Sequence, residues 1–233
     1  EAEFRAVELG RAGRLHVAME CHHCFDWLLP VLDQFRRAWP EVDLDIRQSL
    51  ALKALPALVR GQVDLVISSD PEEMEGVTFQ PLFDYAPTMV VPASHPLVAK
   101  GYAEPQDLAA ETLITYPMDL AAETLITYPM DRARLDVFSQ FLDPAGVEPA
   151  HHRQVEQTAV ALMLIASGRG VAVMPDWVLR AHAGNPELAL LPLGPQGMLR
   201  RLYAAVRADD LGQPFVAHVL RLARTEPVRM MRG

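Results

Sequence analysis

Glu20, Cys21, His22, His23 and Cys24 stand in a row, and they include the only two cysteines of the chain. Cysteine and histidine are the ligand types of a zinc site, and a Cys-x-x-Cys pair at a helix start is the arrangement of a redox thiol. A structural zinc ion, however, takes ligand pairs brought together from distant parts of a sequence. Consecutive side chains cannot all point at one tetrahedral ion, so only Cys21, Cys24 or His23, with a distant partner, remain as candidate metal ligands. Two further readings stand beside metal and redox chemistry. Either cysteine can serve as a small buried hydrophobe. The segment can also line a pocket, with helix-start N–H groups holding a carboxylate and the histidines offering hydrogen bonds. The pocket is the expected role, with neither metal nor cofactor. The chain has no Gly-x-Ser-x-Gly, no His-Glu-x-x-His and no phosphate loop, so no enzyme is expected.

The elements around this row set where it sits. "RLHVAM" reads as a buried strand and "FDWLLPVLDQFRRAWP" as an amphipathic helix. Leu28, Val31, Leu32, Phe35 and Trp39 share one face of that helix, Asp26 caps it and Pro40 ends it. "VDLDIRQS", "ALKALPALVRGQ" and "VDLVISS" continue as strand, short helix and strand, a β-α-β-α-β order that implies a parallel sheet. "FQPLFDYAPTMVVPASHPL" then runs extended. A second alternation follows: strand "TLITYP", helix "RARLDVFSQFLDPAG", strand "HHRQVEQ", helix "TAVALMLIASGRG" and strand "VAVMP". "RRLYAAVR" is again extended, and "PFVAHVLRLART" is a closing helix. The fold class is therefore α/β, in two Rossmann-like lobes joined by two extended crossovers.

Ligands of such sheets sit beyond the carboxyl ends of strands, where helix N-termini point. Three corners qualify: Cys21 to Asp26, Ser68 to Asp70, and Gln157 to Thr158. Facing corners on two lobes would make a cleft for a small polar molecule. His151 and His152 open a strand and are expected at the surface. Trp27 and Trp39 belong to the core or to an interface between copies.

With 21 basic and 30 acidic residues the net charge is −9, and no basic cluster stands out. The domain taken alone should grip nucleic acid poorly, because phosphate binding needs a basic face. No apolar run is long enough to cross a membrane. The charged start "EAEFRAVELGRAGR" lacks the apolar core of a secretory signal, and two cysteines with no others to pair fit a reducing cytosol. One feature is odd: "DLAAETLITYPM" occurs at 107–118 and again, identically, at 119–130. Repeat architectures use more copies at longer periods. The block is a recent duplication or an assembly artefact, and one "TLITYP" strand suffices.

"LVRGQVDLVISSD", "MVVPASHPL" and "MLIASGRGVAVMP", in that order and spacing, resemble the effector-binding domain of LysR-type transcriptional regulators over about residues 13–226. "AMECHHCFDWLLP", "FDY" and "RRLYAAVR" resemble the branch that answers to homocysteine and controls methionine biosynthesis. The duplicated block departs from the family pattern, which has room for one copy. The resemblance implies the type II periplasmic-binding-protein architecture. Residues 1–12 would be the remnant of a linker helix, 13–86 plus 206–226 the first lobe, and 87–205 the second. It implies a cytoplasmic protein that reaches DNA only through a helix-turn-helix domain preceding this chain. It further implies a homodimer through effector domains, a tetramer in the full-length protein and a possible contact with RNA polymerase. A dimer of this kind would use the face of "WLLPVLDQF" and the helix at 132–142. A free-standing solute-binding protein and a metal- or thiol-dependent protein built on Cys21 to Cys24 are the alternatives.

Homocysteine carries a carboxylate, an ammonium and a thiol on a short stem. Helix starts at 22–24 and at Gln157 and Thr158, with Ser68 and Ser69, are the expected anion donors. Glu20 would take the ammonium, and Met130 or Cys24 the sulfur. Cys21, His22 and His23 complete the first corner, and Pro175 is a further candidate for the lining. Arg132 either reaches the cleft or solvates its own face.

Overall fold

Fourteen residues with a strong apolar stripe form the first helix, and the sheet beneath it sets the rest of that unit. In the computed structural model, which describes residues 13–20, 24–116 and 132–232, β1 (Gly13–Met19) leads into α1 (Phe25–Ala38). There follow β2 (Val42–Ile46), α2 (Ala54–Val59), β3 (Leu65–Ser68), β4 (Val77–Tyr85), β5 (Pro87–Pro92) and α3 (Leu97–Lys100). The chain continues through β6 (Thr112–Thr115), β7 (His151–Gln154), α4 (Thr158–Ala166), β8 (Ala172–Pro175) and α5 (Asp176–Leu179). It ends with β9 (Leu188–Pro192), β10 (Arg200–Arg207) and α6 (Pro214–Arg232). No helix among the described residues is long and apolar enough to cross a membrane.

Two compact units divide the chain, one up to Asp84 and from Arg201 onward, the other Tyr85–Arg200. The expected first lobe, 13–86 plus 206–226, leaves most of β10 outside. In the structure β10 pairs with β3 through Tyr203, Ala204 and Ala205, so that strand belongs to unit 1 from Arg201.

Unit 1 holds a five-stranded sheet in the order β2-β1-β3-β10-β4. β1 is parallel to both β2 and β3, as the alternation of strand and helix requires. β10 runs antiparallel to β3, because it arrives from the other unit rather than through a crossover helix. Trp27, Leu28, Val31, Leu32 and Phe35 are the buried face of α1. α1 also packs against α6. The start of α1 differs from expectation. Cys24 occupies the N-cap, while Asp26 lies exposed in the first turn, where a carboxylate complements the helix dipole. Pro30 falls inside the helix, beyond the first turn.

Asp64 anchors the opposite end of this sheet. Its carboxylate is 6% exposed and accepts from Arg14 Nε and Nη2, from the His16 backbone N–H and from Arg207 Nη2, at 2.7–2.9 Å. At the helix pair, Trp39 Nε1 donates to His218 Nδ1 at 2.8 Å, and Phe215 meets the Trp39 ring edge-on at 6.2 Å. Trp27 is thus a core residue of unit 1, while Trp39, half-buried, packs against α6.

Burial and then the charge of Arg221 push the His218 imidazole below its ordinary value, and an accepting Nδ1 keeps the ring neutral. The unfolded ring takes a proton near pH 6.5 while the folded ring resists it, so the unfolded state binds more protons. Stability should therefore fall as pH drops through about 6.5, levelling off below the depressed folded value. In urea titrations between pH 7.5 and 5, His218→Gln, whose amide oxygen can still accept from Trp39, should flatten part of that slope. An unchanged slope would remove His218 from the account.

Unit 2 carries two small sheets. β5 pairs antiparallel with β8 and β9, and β6 pairs parallel with β7. Two backbone bonds stitch them together: Val171 N donates to Thr112 O at 2.9 Å, and Ile114 N to Val171 O at 2.7 Å. Gly170 permits the stitch. A Cβ there would stand 2.4 Å from Thr112 O, and its φ of +149° lies where other residues are strained. β6 is the first copy of the duplicated "TLIT"; the second lies outside the described residues. The expected helix from "RARLDVFSQFLDPAG" is wound as a 3-10 turn at Arg132–Arg134, a π-helix at Val137–Leu142 and a 3-10 turn at Asp143–Ala145. Gly146 closes it at φ +65°. Its Val137, Phe138 and Leu142 enter the same core as Met89 and Leu113.

Candidate functional site

The carboxyl ends of β1 and β3 meet at the first corner, in unit 1. Parallel pairing sets Met19 beside Ile67, and Glu20 N then donates to Ile67 O at 2.9 Å, which brings Glu20 level with Ser68. Ser68 is fully buried. Its hydroxyl accepts the Asp70 N–H at 3.1 Å, and Ser69 Oγ donates to the Asp70 carboxylate at 3.1 Å. The Ser68–Ser69–Asp70 turn is therefore built by its own hydrogen bonds, which hold it at the strand end. Cys24, at the start of α1, is fully buried. It is part of a disulfide, in place of the reduced thiol that the composition suggests. The one other cysteine of the chain, Cys21, lies outside the described residues with His22 and His23. A disulfide sulfur offers no thiolate, so Cys24 in this form is not a metal ligand. Among the described residues, no group of three or more His, Cys, Asp and Glu side chains is placed to hold a metal ion.

The third corner lies in unit 2, at the carboxyl end of β6 and the start of α4. Gln157 is the N-cap of α4 in an extended conformation and makes no side-chain cap bond. Four N–H groups at a helix start lack partners within the helix, which suits them to an anion. Thr158 Oγ1 shares a hydrogen bond with the Tyr116 hydroxyl at 2.7 Å. Tyr116, 5% exposed, ends "TLITY" at this corner and is not among the residues expected from sequence. Its position, directly after a strand and before a proline, is the only local signal for it. Pro175 ends β8, facing Pro87 of β5 in register.

Arg132 is committed elsewhere. Its Nη2 binds Asp143 and Glu148, each at 2.7 Å, and the guanidinium lies 4.0 Å above the Phe138 ring. Of the two expected roles, these bonds fit a clamp on its own segment. Met130 lies outside the described residues. His151 and His152 are both exposed, as expected. His152 is more engaged: its Nε2–H donates to Thr115 Oγ1, whose own proton goes to Tyr116 O at 3.0 Å, and its ring meets Phe138 edge-on. Burial, then Arg132, hold that imidazole below its ordinary value.

Unit 1 thus presents a carboxylate beside a turn of hydroxyls, and unit 2 an uncapped helix start beside a buried phenol.

Comparison with known proteins identifies the family. The profile described as LysR substrate binding domain matches residues 9–119 and again 117–227, breaking at the duplicated block. The HTH-type transcriptional regulator MetR of Escherichia coli K12 is 39% identical over 91% of this chain, which spans 62% of that protein's length. The MetR regulator of Haemophilus influenzae is 30% identical over the whole chain. Among solved structures, the regulatory domain of MetR, a LysR family regulator from Neisseria meningitidis, superposes with a TM-score of 0.83 at 32% identity, covering 94% of this chain and 95% of that one. That structure is of a form in which two cysteines three positions apart are replaced by serine, the spacing of Cys21 and Cys24 here. On these matches, this chain belongs to the LysR substrate-binding domain family, as a MetR-like effector-binding domain.

Proposed function

We propose that this chain is the sensing domain of a transcriptional regulator of methionine biosynthesis genes, and that its effector is homocysteine. The observation that carries the reading is the similarity to MetR regulators over nine-tenths of the chain. The corner chemistry supports it. Glu20 suits the ammonium, Ser68 and Ser69 offer hydroxyls, and the start of α4 at Gln157 and Thr158 suits the carboxylate. Cys21, His22, His23, Cys24, Met130 and Pro175 complete the proposed lining, and Arg132 supports its segment from outside. In this reading DNA is bound by a helix-turn-helix domain beyond this chain. The regulator works in the cytoplasm, as a homodimer through its effector domains and a tetramer in the full-length protein, and contacts RNA polymerase.

Homocysteine should raise the melting temperature by mass action, and methionine, whose methyl caps the sulfur, should bind more weakly. Thr158→Ala should weaken homocysteine by about 1–3 kcal/mol, since it leaves the Tyr116 hydroxyl and the ligand each short of a partner. Calorimetric titration of both amino acids tests this. Equal binding of the two, or binding of neither, overturns the assignment.

A further inference from the structure

The chain passes between its two units twice, once between Asp84 and Tyr85 and once between Arg200 and Arg201. The strands that make these passages, β4 and β10, are neighbours in one sheet. Side chains lace them together on both sides of the boundary. On the unit 1 side, Arg201 grips Asp84 with two bonds, Nε to Oδ1 at 2.5 Å and Nη2 to Oδ2 at 2.9 Å. On the unit 2 side the tie is indirect. The Tyr85 hydroxyl donates to Asp136 Oδ2 at 2.5 Å, and Arg200 Nε donates to Asp136 Oδ1 at 3.0 Å. One carboxylate, 15% exposed, therefore receives a residue from each passage.

We propose that Asp136 is a positioning residue that fastens the two chain crossings into a single hinge, so that they loosen together and not one at a time. Three observations converge on it. Tyr85 is 4% exposed, and its ring meets Trp177 edge-on at 4.8 Å, so the phenol has one orientation from which to reach Asp136. The next residue, Ala86, exchanges two bonds with Asp176: Asp176 N to Ala86 O at 3.0 Å, and Ala86 N to Asp176 Oδ1 at 3.3 Å. Finally, Asp136 precedes the π-wound segment, whose Phe138 and Leu142 sit in the unit 2 core, so the carboxylate is carried by packed backbone. The first crossing is thus held by two segments, those of Asp136 and of Asp176–Trp177. One of them follows Arg132 and the other follows Pro175. Resting on the homocysteine reading, the Asp176–Trp177 segment begins beside Pro175, a proposed effector position, which gives effector binding a route to the first crossing through side-chain bonds.

Hydrogen exchange on this chain tests the hinge without any ligand. Tyr85→Phe removes one hydroxyl from a buried ring and should keep the fold. In Tyr85→Phe and in Asp136→Asn, amides at 84–88 and at 198–202 should both exchange about ten-fold faster, the scale of one lost hydrogen bond to a charged group. Lys100→Gln, which breaks an ion pair elsewhere in unit 2, should leave both stretches unchanged. Faster exchange confined to 84–88 in Tyr85→Phe would overturn the proposal, as would a uniform rise across 85–200, the mark of simple destabilisation. With homocysteine added, both stretches should slow in the wild type. Asp136→Asn should lose that slowing while its affinity stays within about three-fold, a change of under 1 kcal/mol. A wild type that binds no homocysteine removes the proposed effector but leaves the ligand-free comparison to decide the role of Asp136.

Discussion

Replacing Asp64 by alanine should lower the stability of unit 1 by about 3–5 kcal/mol, the range for removing one partner from a buried ionic cluster. The carboxylate closes the "GQVDLV" segment against β1 and β10 at once: Arg14 and His16 come from β1, Arg207 from β10. Without it the His16 N–H loses its acceptor in a buried strand. Arg207 keeps the Leu58 and Val63 carbonyls and Asp210, and Arg14 is 44% exposed, so neither guanidinium is stranded in full. Those remaining partners place the expected loss near the lower end of the range. The pH dependence should follow. Burial by itself raises this carboxyl, but the Arg14 bonds, the His16 N–H and Arg207 outweigh it and hold the group below its ordinary value. A depressed folded value means stability that is complete above about pH 4 and is lost as pH falls toward the folded value. The gap between wild type and Asp64→Ala, measured by urea midpoints, should therefore be full at pH 7 and narrow in acid. A gap below 1 kcal/mol at pH 7, or one that widens in acid, would show that the cluster does not hold the sheet end.

The second large effect separates two faces of α1. Leu32→Glu should unfold unit 1 at ordinary temperature, because Leu32 is 4% exposed and an unpaired buried carboxylate costs several kcal/mol. Val31, fully buried, should behave alike. Neither residue can report on association between copies, although the apolar stripe of "WLLPVLDQF" makes both look available for it. Leu29 can. It is 50% exposed and lines a surface groove of about 440 Å³ with Asp33, Arg36, Leu44, Asp45 and Ile46, beside the edge strand β2, with the buried Leu32 also in its lining. Leu29→Glu should leave the urea midpoint within about 0.5 kcal/mol of wild type, as surface changes do, while weakening self-association. A two-fold pair would place the new charge in the interface twice. Sedimentation velocity across a concentration series decides it. A folded Leu32→Glu protein, or a Leu29→Glu protein that associates as strongly as wild type, would show that the faces are assigned wrongly.

Periodicity by itself determined most of the elements of this protein. The stripe through Leu28, Val31, Leu32 and Phe35, and the alternation of strand with helix, depend on residues a few positions apart, so a linear reading captures them. The corners at Ser68 and Thr158 follow from the same local order, because a strand end and a helix start are adjacent in sequence. Tertiary structure decided what joins distant segments. β10 runs antiparallel beside β3 because the returning chain, not a crossover helix, delivers it. "RARLDVFSQFLDPAG" carries helical spacing, yet packing of Val137, Phe138 and Leu142 among the unit 2 core residues accompanies a π-wound backbone. Arg132 has the chemistry of an anion ligand, but Asp143 and Glu148 claim it, and nothing local announces that pairing. Tyr116, Asp64 and Asp136 each act through partners far away in sequence: Thr158, Arg207, Tyr85. A hydrogen bond between side chains 42, 143 or 51 positions apart leaves no trace in spacing, because only the folded backbone sets that distance.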